Sequence, residues 1–339
     1  MNLDTVAVGS LEVPALTPQQ AGISELRPLL ALIEQEREAL HAELLASGAL
    51  LLRGFPVVEP AAFQDLACAL DPSVTPYERG ATDRDAVGER VYEASRYPPR
   101  EHLPIHSETC YLRRFPRRLV FACPQPARRG GETTLADNRA VLAALPRELR
   151  ERFQARGVGY VRNVYSREGG WRFRLARAVG SSAVQSWEEM FATSSRAEVE
   201  AACAEADMAY SWRGSMLCLN DQLPATRMHP VTGEEVWFNQ SQIFHVGPSR
   251  FGLVYPLARA LNGTGPTALY HATYGDGEPI AEADMQTIRS VFKAHEQPHA
   301  WERGDVLLVD NLLLGHGRRP FKGPRSVWFA QAGVGAEPS

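Results

Sequence analysis

The chain has 339 residues, 44% of them hydrophobic and 22% charged, with a formal net charge of −4. A chain of this size buries enough apolar surface to fold without disulfides or structural zinc. The acidic balance argues against nucleic acid or an anionic membrane as the main partner, because phosphate binding needs a basic footprint.

The five cysteines are Cys68, Cys110, Cys123, Cys203 and Cys218, and no CxxC pair occurs among them. That spacing counts against a zinc ribbon or redox motif and fits a reduced, cytoplasmic setting. The opening "MNLDTVAVGS" lacks the basic start and apolar core of a signal peptide. No apolar run approaches the ~20 residues that span a bilayer.

In chain order, Thr17 to Ser47 carries leucines at helical spacing and predicts one or two amphipathic helices packed on the core, closed by Gly48. "ALLLRGF" reads as a buried strand and "AAFQDLACAL" as a short helix. Asp71 to Arg100 is polar and rich in Pro, Gly and Arg, the composition of a long loop that can close over an active site. "RLVFACPQPA" predicts a strand and turn, and "NRAVLAALPRELRERFQAR" helix, with Pro146 breaking it or starting a second helix. "GVGYVRNVY" alternates like a strand, and "SWEEMFATSSRAEVEAACAEA" is helical in part. "EEVWFNQSQIFHV" reads as a strand leaving into a loop, and "EADMQTIRSVFKAHE" as a helix. "GDVLLVDNLLLGHGRRPFKGPRSVWFAQAG" closes the chain as two strands with a Gly- and Arg-rich connection. Strands dispersed among helices, with no repeat or linker, predict one α+β domain over 1–339 with a β-sandwich or barrel core.

The stretch "PIHSETCY" places His106 and Glu108 two apart. On a strand such residues face the same side, so both can reach one ion. His316, between two glycines after a hydrophobic strand, is the candidate third ligand. Two histidines and one carboxylate leave coordination positions open, which suits non-haem Fe(II). An H-x-E pair alone is common by chance, and two polar residues at a strand end explain it equally well. His245 follows a polar-aromatic strand and is a candidate hydrogen-bonding residue near a substrate.

The sequence around this pair resembles the taurine dioxygenase and clavaminate synthase-like family of Fe(II)/2-oxoglutarate oxygenases, and within it the syringomycin-type amino-acid β-hydroxylase branch. The resemblance is carried in order by "LLLRGFPV", the block from "VYEASRYPPREHLPIHSETCY" to "GGETTLADNRAVL", "HPVTGEEVWFNQSQIFH" and the closing "GDVLLVDNLLLGHGRRPFKGPRSV". It implies a double-stranded β-helix (jelly-roll) core with surrounding helices. It implies His106, Glu108 and His316 as the metal triad, Arg325 as the cation for the distal carboxylate of 2-oxoglutarate, and Thr133 as a hydroxyl donor to that carboxylate. Arg318 and Arg319 are nearer His316 in sequence and read as strand-edge charges or substrate contacts. Many family members have aspartate where this chain has Glu108, and halogenating members have no carboxylate there.

The reaction so implied consumes O2 and 2-oxoglutarate and hydroxylates an unactivated C–H bond, with desaturation, cyclisation or epoxidation as alternative outcomes. The implied substrate is an amino acid or amino-acid derivative, free or presented by a carrier protein, in specialised metabolism. Arg96, Arg227, Asn239 and Gln240 are candidate substrate contacts, and one of Trp237 and Phe238 is expected to line the site. Two rival classes remain: a zinc hydrolase or isomerase on the same residues, and a non-catalytic jelly-roll binding protein. A homo-oligomer is left open.

Overall fold

In a computed structural model, residues 3–77, 84–178, 185–264 and 268–335 are described. The centre of the fold is two facing sheets. The major sheet runs Asp4–Val8, Leu11–Leu16, Ala49–Leu52, Val306–Asp310, Arg118–Gln125, Ser326–Ala332, Val74–Thr75, with Tyr92–Glu93 also paired to Ser326–Ala332. The minor sheet runs Gln297–His299, Thr133–Asp137, Leu314–Arg318, Leu103–His106. All pairings in the two sheets are antiparallel except that of Leu11–Leu16 with Ala49–Leu52. This is the jelly-roll core.

Side chains alternate across a strand, and here both faces of the major sheet are covered. Leu119, Phe121 and Cys123 join Leu51, Leu307, Val309 and Phe329 in a core that meets Leu135 and Leu314 of the minor sheet. Val120, Ala122, Leu50, Leu52, Val306 and Leu308 point the other way, against Leu29, Ile33, Leu40, Leu44 and Phe63 of the N-terminal helices. Two covered faces explain why "ALLL" and "VLLV" read as unbroken apolar runs rather than alternating ones.

The segment expected as one or two helices is three: Pro18–Ala21, Leu26–Gln35 and Arg37–Ser47. The last ends at Gly48, whose φ of 81° is left-handed and whose N–H donates to the Leu44 carbonyl. A Cβ at Gly48 would lie 2.6 Å from Leu314 Cγ, so only glycine lets this helix turn so close to the minor sheet. The hairpin Asp4–Val8 with Leu11–Leu16 was not expected from the sequence, because Pro14 sits within its second strand and proline usually demotes such a run. "EEVWFNQSQIFHV" is strand only over Glu235–Trp237 and then turns into the short helix Ser241–Phe244.

A third sheet, Tyr210–Arg213, Met216–Leu223, Val158–Val164, Tyr270–Tyr274, packs with the helices Asn138–Ala144, Arg147–Arg156, Arg196–Glu205 and Glu282–His295. Leu142, Phe153, Val199, Leu217, Ile288 and Phe292 share that second core. Among the described residues no helix is long and apolar enough to cross a membrane.

Candidate metal centre

The minor sheet brings the separated motifs together. His106 ends the strand Leu103–His106 and lies directly opposite His316 in the register. Gly315 and Gly317 make this pairing possible. A Cβ at Gly317 would stand 2.6 Å from the Leu103 carbonyl oxygen, and one at Gly315 would stand 2.7 Å from Ile105 Cγ2. The close partner those glycines admit is the neighbouring strand.

Glu108 is not on that strand. It sits in the turn that follows, where Thr109 takes a φ of 49°, a left-handed conformation rare outside glycine. His106 and Glu108 therefore converge through a strained turn rather than through strand alternation. One ligand atom from each of His106, Glu108 and His316 lies within 4.8 Å of the others. The two rings are 4.4 Å apart between centroids, and His316 Nε2 is 3.7 Å from Glu108 Oε2.

The protonation states suit a metal. Nδ1 of His106 lies 2.9 Å from the Pro104 carbonyl, which can only accept, so that nitrogen carries the proton and Nε2 keeps its lone pair. Burial lowers the His106 pKa, against the pull of Glu108, and burial followed by His106 and Arg84 drives His316 well below its usual value. Both imidazoles are held neutral, the form that binds metal. His316 Nδ1 is buried without a hydrogen-bond partner among the described residues. Two neutral imidazoles and a carboxylate fit Fe(II) and use no soft thiolate.

Three amide side chains fix the backbone that carries the turn, and a fourth holds the Ser107 hydroxyl. Asn311 Oδ1 accepts from the Glu108 N–H at 2.7 Å, while its Nδ2 donates to the carbonyls of Glu108 and Pro116. Gln240 Nε2 donates to the Ser107 carbonyl and Gln242 Nε2 to that of Ile105. Asn138 Nδ2 donates to Ser107 Oγ. Glu108 itself accepts from Tyr77 Oη on Oε1 at 3.3 Å and from Arg84 Nη2 on Oε2 at 2.8 Å.

The cluster forms the floor of a cavity of about 450 Å³, whose lining includes Tyr77, Arg84, Arg96, Thr133, Gln240 and Arg325. That volume is in the range of small-molecule sites. The turn at Gly130 and Gly131, with φ of 72° and 78°, aims the Gly131 carbonyl at Arg325 Nε, 3.0 Å away. A Cβ at Gly131 would crowd Arg325 Cδ at 3.0 Å. Among the described residues no carboxylate forms an ion pair with Arg325. Burial, and then Arg318, push its pKa down to about 10, against the weaker attraction of Cys123, Glu93 and Glu132. Thr133 Oγ1 accepts from Trp301 Nε1 at 2.9 Å, which leaves its own proton to donate. Arg318 also lines the cavity, with its Nη2 donating to the carbonyls of Tyr97, Pro98 and Glu101. Arg319 reaches Glu296 on the surface.

The remaining sequence candidates divide. Arg96 lines the cavity but is paired with Asp85. Gln240 lines it too, with its amide donated to the Ser107 carbonyl. Arg227 and Asn239 are not among the lining residues. Arg227 is buried over the Phe115 and Phe238 rings, and Asn239 caps its own turn by accepting from Ser241 and donating to the Ala225 carbonyl. Trp237 and Phe238 are both core, and neither lines the site, because the strand ends at Trp237 and its alternation goes no further. His245 turns toward Glu282, while its neighbours Phe244 and Val246 line the cavity. From the loop Asp71 to Arg100, Tyr77, Arg84 and residues 94–98 form one wall, and residues 78–83 lie outside the described residues. Arg84, Tyr77, Asn311 and Trp301 were missed by sequence reasoning. For Arg84 the surrounding polar loop gives no periodicity that could have singled it out.

Comparison with known proteins agrees with this geometry. Residues 13–331 match the family model described as taurine catabolism dioxygenase TauD, TfdA family. The chain is 34% identical over 290 residues to the dapdiamide synthesis protein DdaC of Enterobacter agglomerans, covering 85% of this chain and 82% of that protein. It is 28% identical over 300 residues to a clavaminate synthase-like protein of Arabidopsis thaliana, covering 87% and 84%. Its fold matches the crystal structure of PvcB from Pseudomonas aeruginosa with a TM-score of 0.55 at 16% identity, over 99% of this chain and 94% of that one. The chain belongs to the TauD, TfdA family and is a dioxygenase dependent on Fe(II), 2-oxoglutarate and O2.

Proposed function

We propose that His106, Glu108 and His316 hold Fe(II), that Arg325 and Thr133 hold 2-oxoglutarate, and that the enzyme hydroxylates an unactivated C–H bond of an amino acid or amino-acid derivative. The observation that carries the site assignment is the ligand cluster within 4.8 Å, lining the same cavity as Arg325, whose guanidinium forms no ion pair among the described residues. Arginine pairs with a carboxylate through two parallel hydrogen bonds, and a Thr133 hydroxyl proton adds a third. Iron bound with 2-oxoglutarate supplies the O2 activation that a C–H bond requires.

The protein's part is to bind and orient. Neutral His106 and His316 present lone pairs, and the Asn311 and Gln240 clamps hold the Glu108 turn in place. Tyr111, Phe121, Phe244 and Leu269 give the cavity apolar walls that keep water from the reacting bond. The similarity to a protein of dapdiamide synthesis supports an amino-acid-derived substrate in specialised metabolism, and presentation by a carrier protein is compatible with it. We place the enzyme in the cytoplasm, as a single oxygenase domain.

The test is a screen of free amino acids and their carrier-bound thioesters with Fe(II), ascorbate and 2-oxoglutarate under air. The expected result is succinate formed in step with a product 16 mass units heavier than one substrate. Coupled turnover only with substrates that are not amino-acid derivatives would overturn the substrate class and leave the cofactor assignment standing.

A further inference from the structure

Arg84 stands where a metal's own charge would be felt most. Its Nη2 donates at 2.8 Å to Glu108 Oε2, the same oxygen that lies 3.7 Å from His316 Nε2 and so faces the ligand cluster. The ion pair is buried, with 6% of each side chain exposed. The guanidinium lies over the Phe329 ring at 4.1 Å and the Tyr77 ring at 4.7 Å. Its Nη1 donates to the Ala94 carbonyl, and its Nε is buried without a hydrogen-bond partner among the described residues.

Two cations therefore claim one oxygen. In a buried site, where screening is weak, a divalent ion and a guanidinium on the same carboxylate repel strongly. Glu108 does not need Arg84 to hold its position. Tyr77 Oη donates to the other oxygen, Oε1, and Asn311 fixes the backbone N–H. Arg84, in turn, is also held by Tyr77, the Ala94 carbonyl and the Phe329 ring, so Glu108 is one of several contacts. We propose that Arg84 competes with the metal for Oε2 of Glu108, holding metal affinity down, and that metal binding releases its guanidinium into the cavity. This inference rests on the assignment of His106, Glu108 and His316 as the metal site. Arg84 acts through Glu108 and is a positioning residue.

The experiment is Mn(II) titration of the metal-stripped full-length protein, reading free Mn(II) by electron paramagnetic resonance, in wild type, Arg84→Gln and Arg84→Lys. Competition predicts that Arg84→Gln binds Mn(II) about tenfold tighter or more, while Arg84→Lys, which keeps the charge, stays within about threefold of wild type. A partner that merely orients a ligand behaves oppositely, since its loss weakens metal binding by about 10- to 100-fold. Unchanged or weaker binding by Arg84→Gln, with wild type binding normally, overturns the competition and leaves the metal site intact. No Mn(II) binding by wild type overturns both.

A second measurement needs no variant. Phenylglyoxal labelling mapped to Arg84 should be faster in wild type with Mn(II) than without it. Equal or slower labelling with Mn(II) overturns the release.

Discussion

Arg325 and Thr133 differ in what each gives to a carboxylate, and their substitutions should separate accordingly. Arg325→Ala removes a charge-assisted pair, so the KM for 2-oxoglutarate should rise by roughly 10- to 100-fold, read in steady-state assays with saturating iron. Thr133→Val removes one neutral donor and should raise it by only about 3- to 10-fold. Trp301 Nε1 fixes which way the Thr133 proton points, so Trp301→Phe should show part of the Thr133→Val effect without moving iron affinity. At this scale the resemblance singled out His106, Glu108 and His316, which the structure brings within 4.8 Å of one another, and Arg325, which lines the same cavity. The sequence was illegible where an arginine's role depends on its neighbours. Arg227 is a buried guanidinium set over aromatic rings and away from the cavity, and nothing in "PATRMHP" distinguishes it from an arginine facing substrate.

Elements decide whether the ligands meet. The strand Leu314–Arg318 has the minor-sheet strands on both sides, and Gly317 faces Leu103 and Thr134 with no room for a methyl group. Gly317→Ala should cost about 1–3 kcal/mol of stability by overpacking, seen as a lower denaturation midpoint in guanidinium chloride, and should weaken metal binding at the same time. Asn311→Ala leaves the Glu108 N–H and carbonyl and the Pro116 carbonyl unpaired in the interior and should cost about 1–3 kcal/mol or more by the same measurement. The covered strands and the helix Glu282–His295 were readable from apolar pattern, because burial on both faces or on one stripe leaves a periodic mark. The Glu108 turn was not, since a left-handed threonine is imposed by the Asn311 and Gln240 contacts from distant segments. Likewise, the hairpin at the N-terminus is set by its pairing with Ala49–Leu52 rather than by its own pattern.

At the scale of the whole molecule, one buried histidine on the edge strand of the minor sheet should mark acid stability. His299 pairs with Thr133 in the sheet register, and its Nε2 lies 3.7 Å from Asp305 Oδ2 without a hydrogen bond. Burial brings its pKa down to about 4, against the attraction of Asp305 and with the repulsion of Arg53. Between that value and the ordinary 6.5 the unfolded chain binds a proton that the folded chain refuses, so stability falls as pH drops through this window and levels off below it. From pH 7 to pH 5 the stability of wild type relative to His299→Gln should shrink by about 2 kcal/mol, measured by urea unfolding at both pH values. A constant difference would mean that His299 protonates as easily folded as unfolded.

Five residues scattered along the chain, His106, Glu108, Thr133, His316 and Arg325, are proposed to make one iron and 2-oxoglutarate site. Anaerobic titration of the metal-stripped protein with Fe(II) and 2-oxoglutarate tests it most directly, through the weak visible charge-transfer band of the chelated pair. The account predicts a band in wild type, no band in His106→Ala, and a band in Arg325→Ala only at roughly 10- to 100-fold more 2-oxoglutarate. No band in wild type, with neither iron nor 2-oxoglutarate bound, would contradict it.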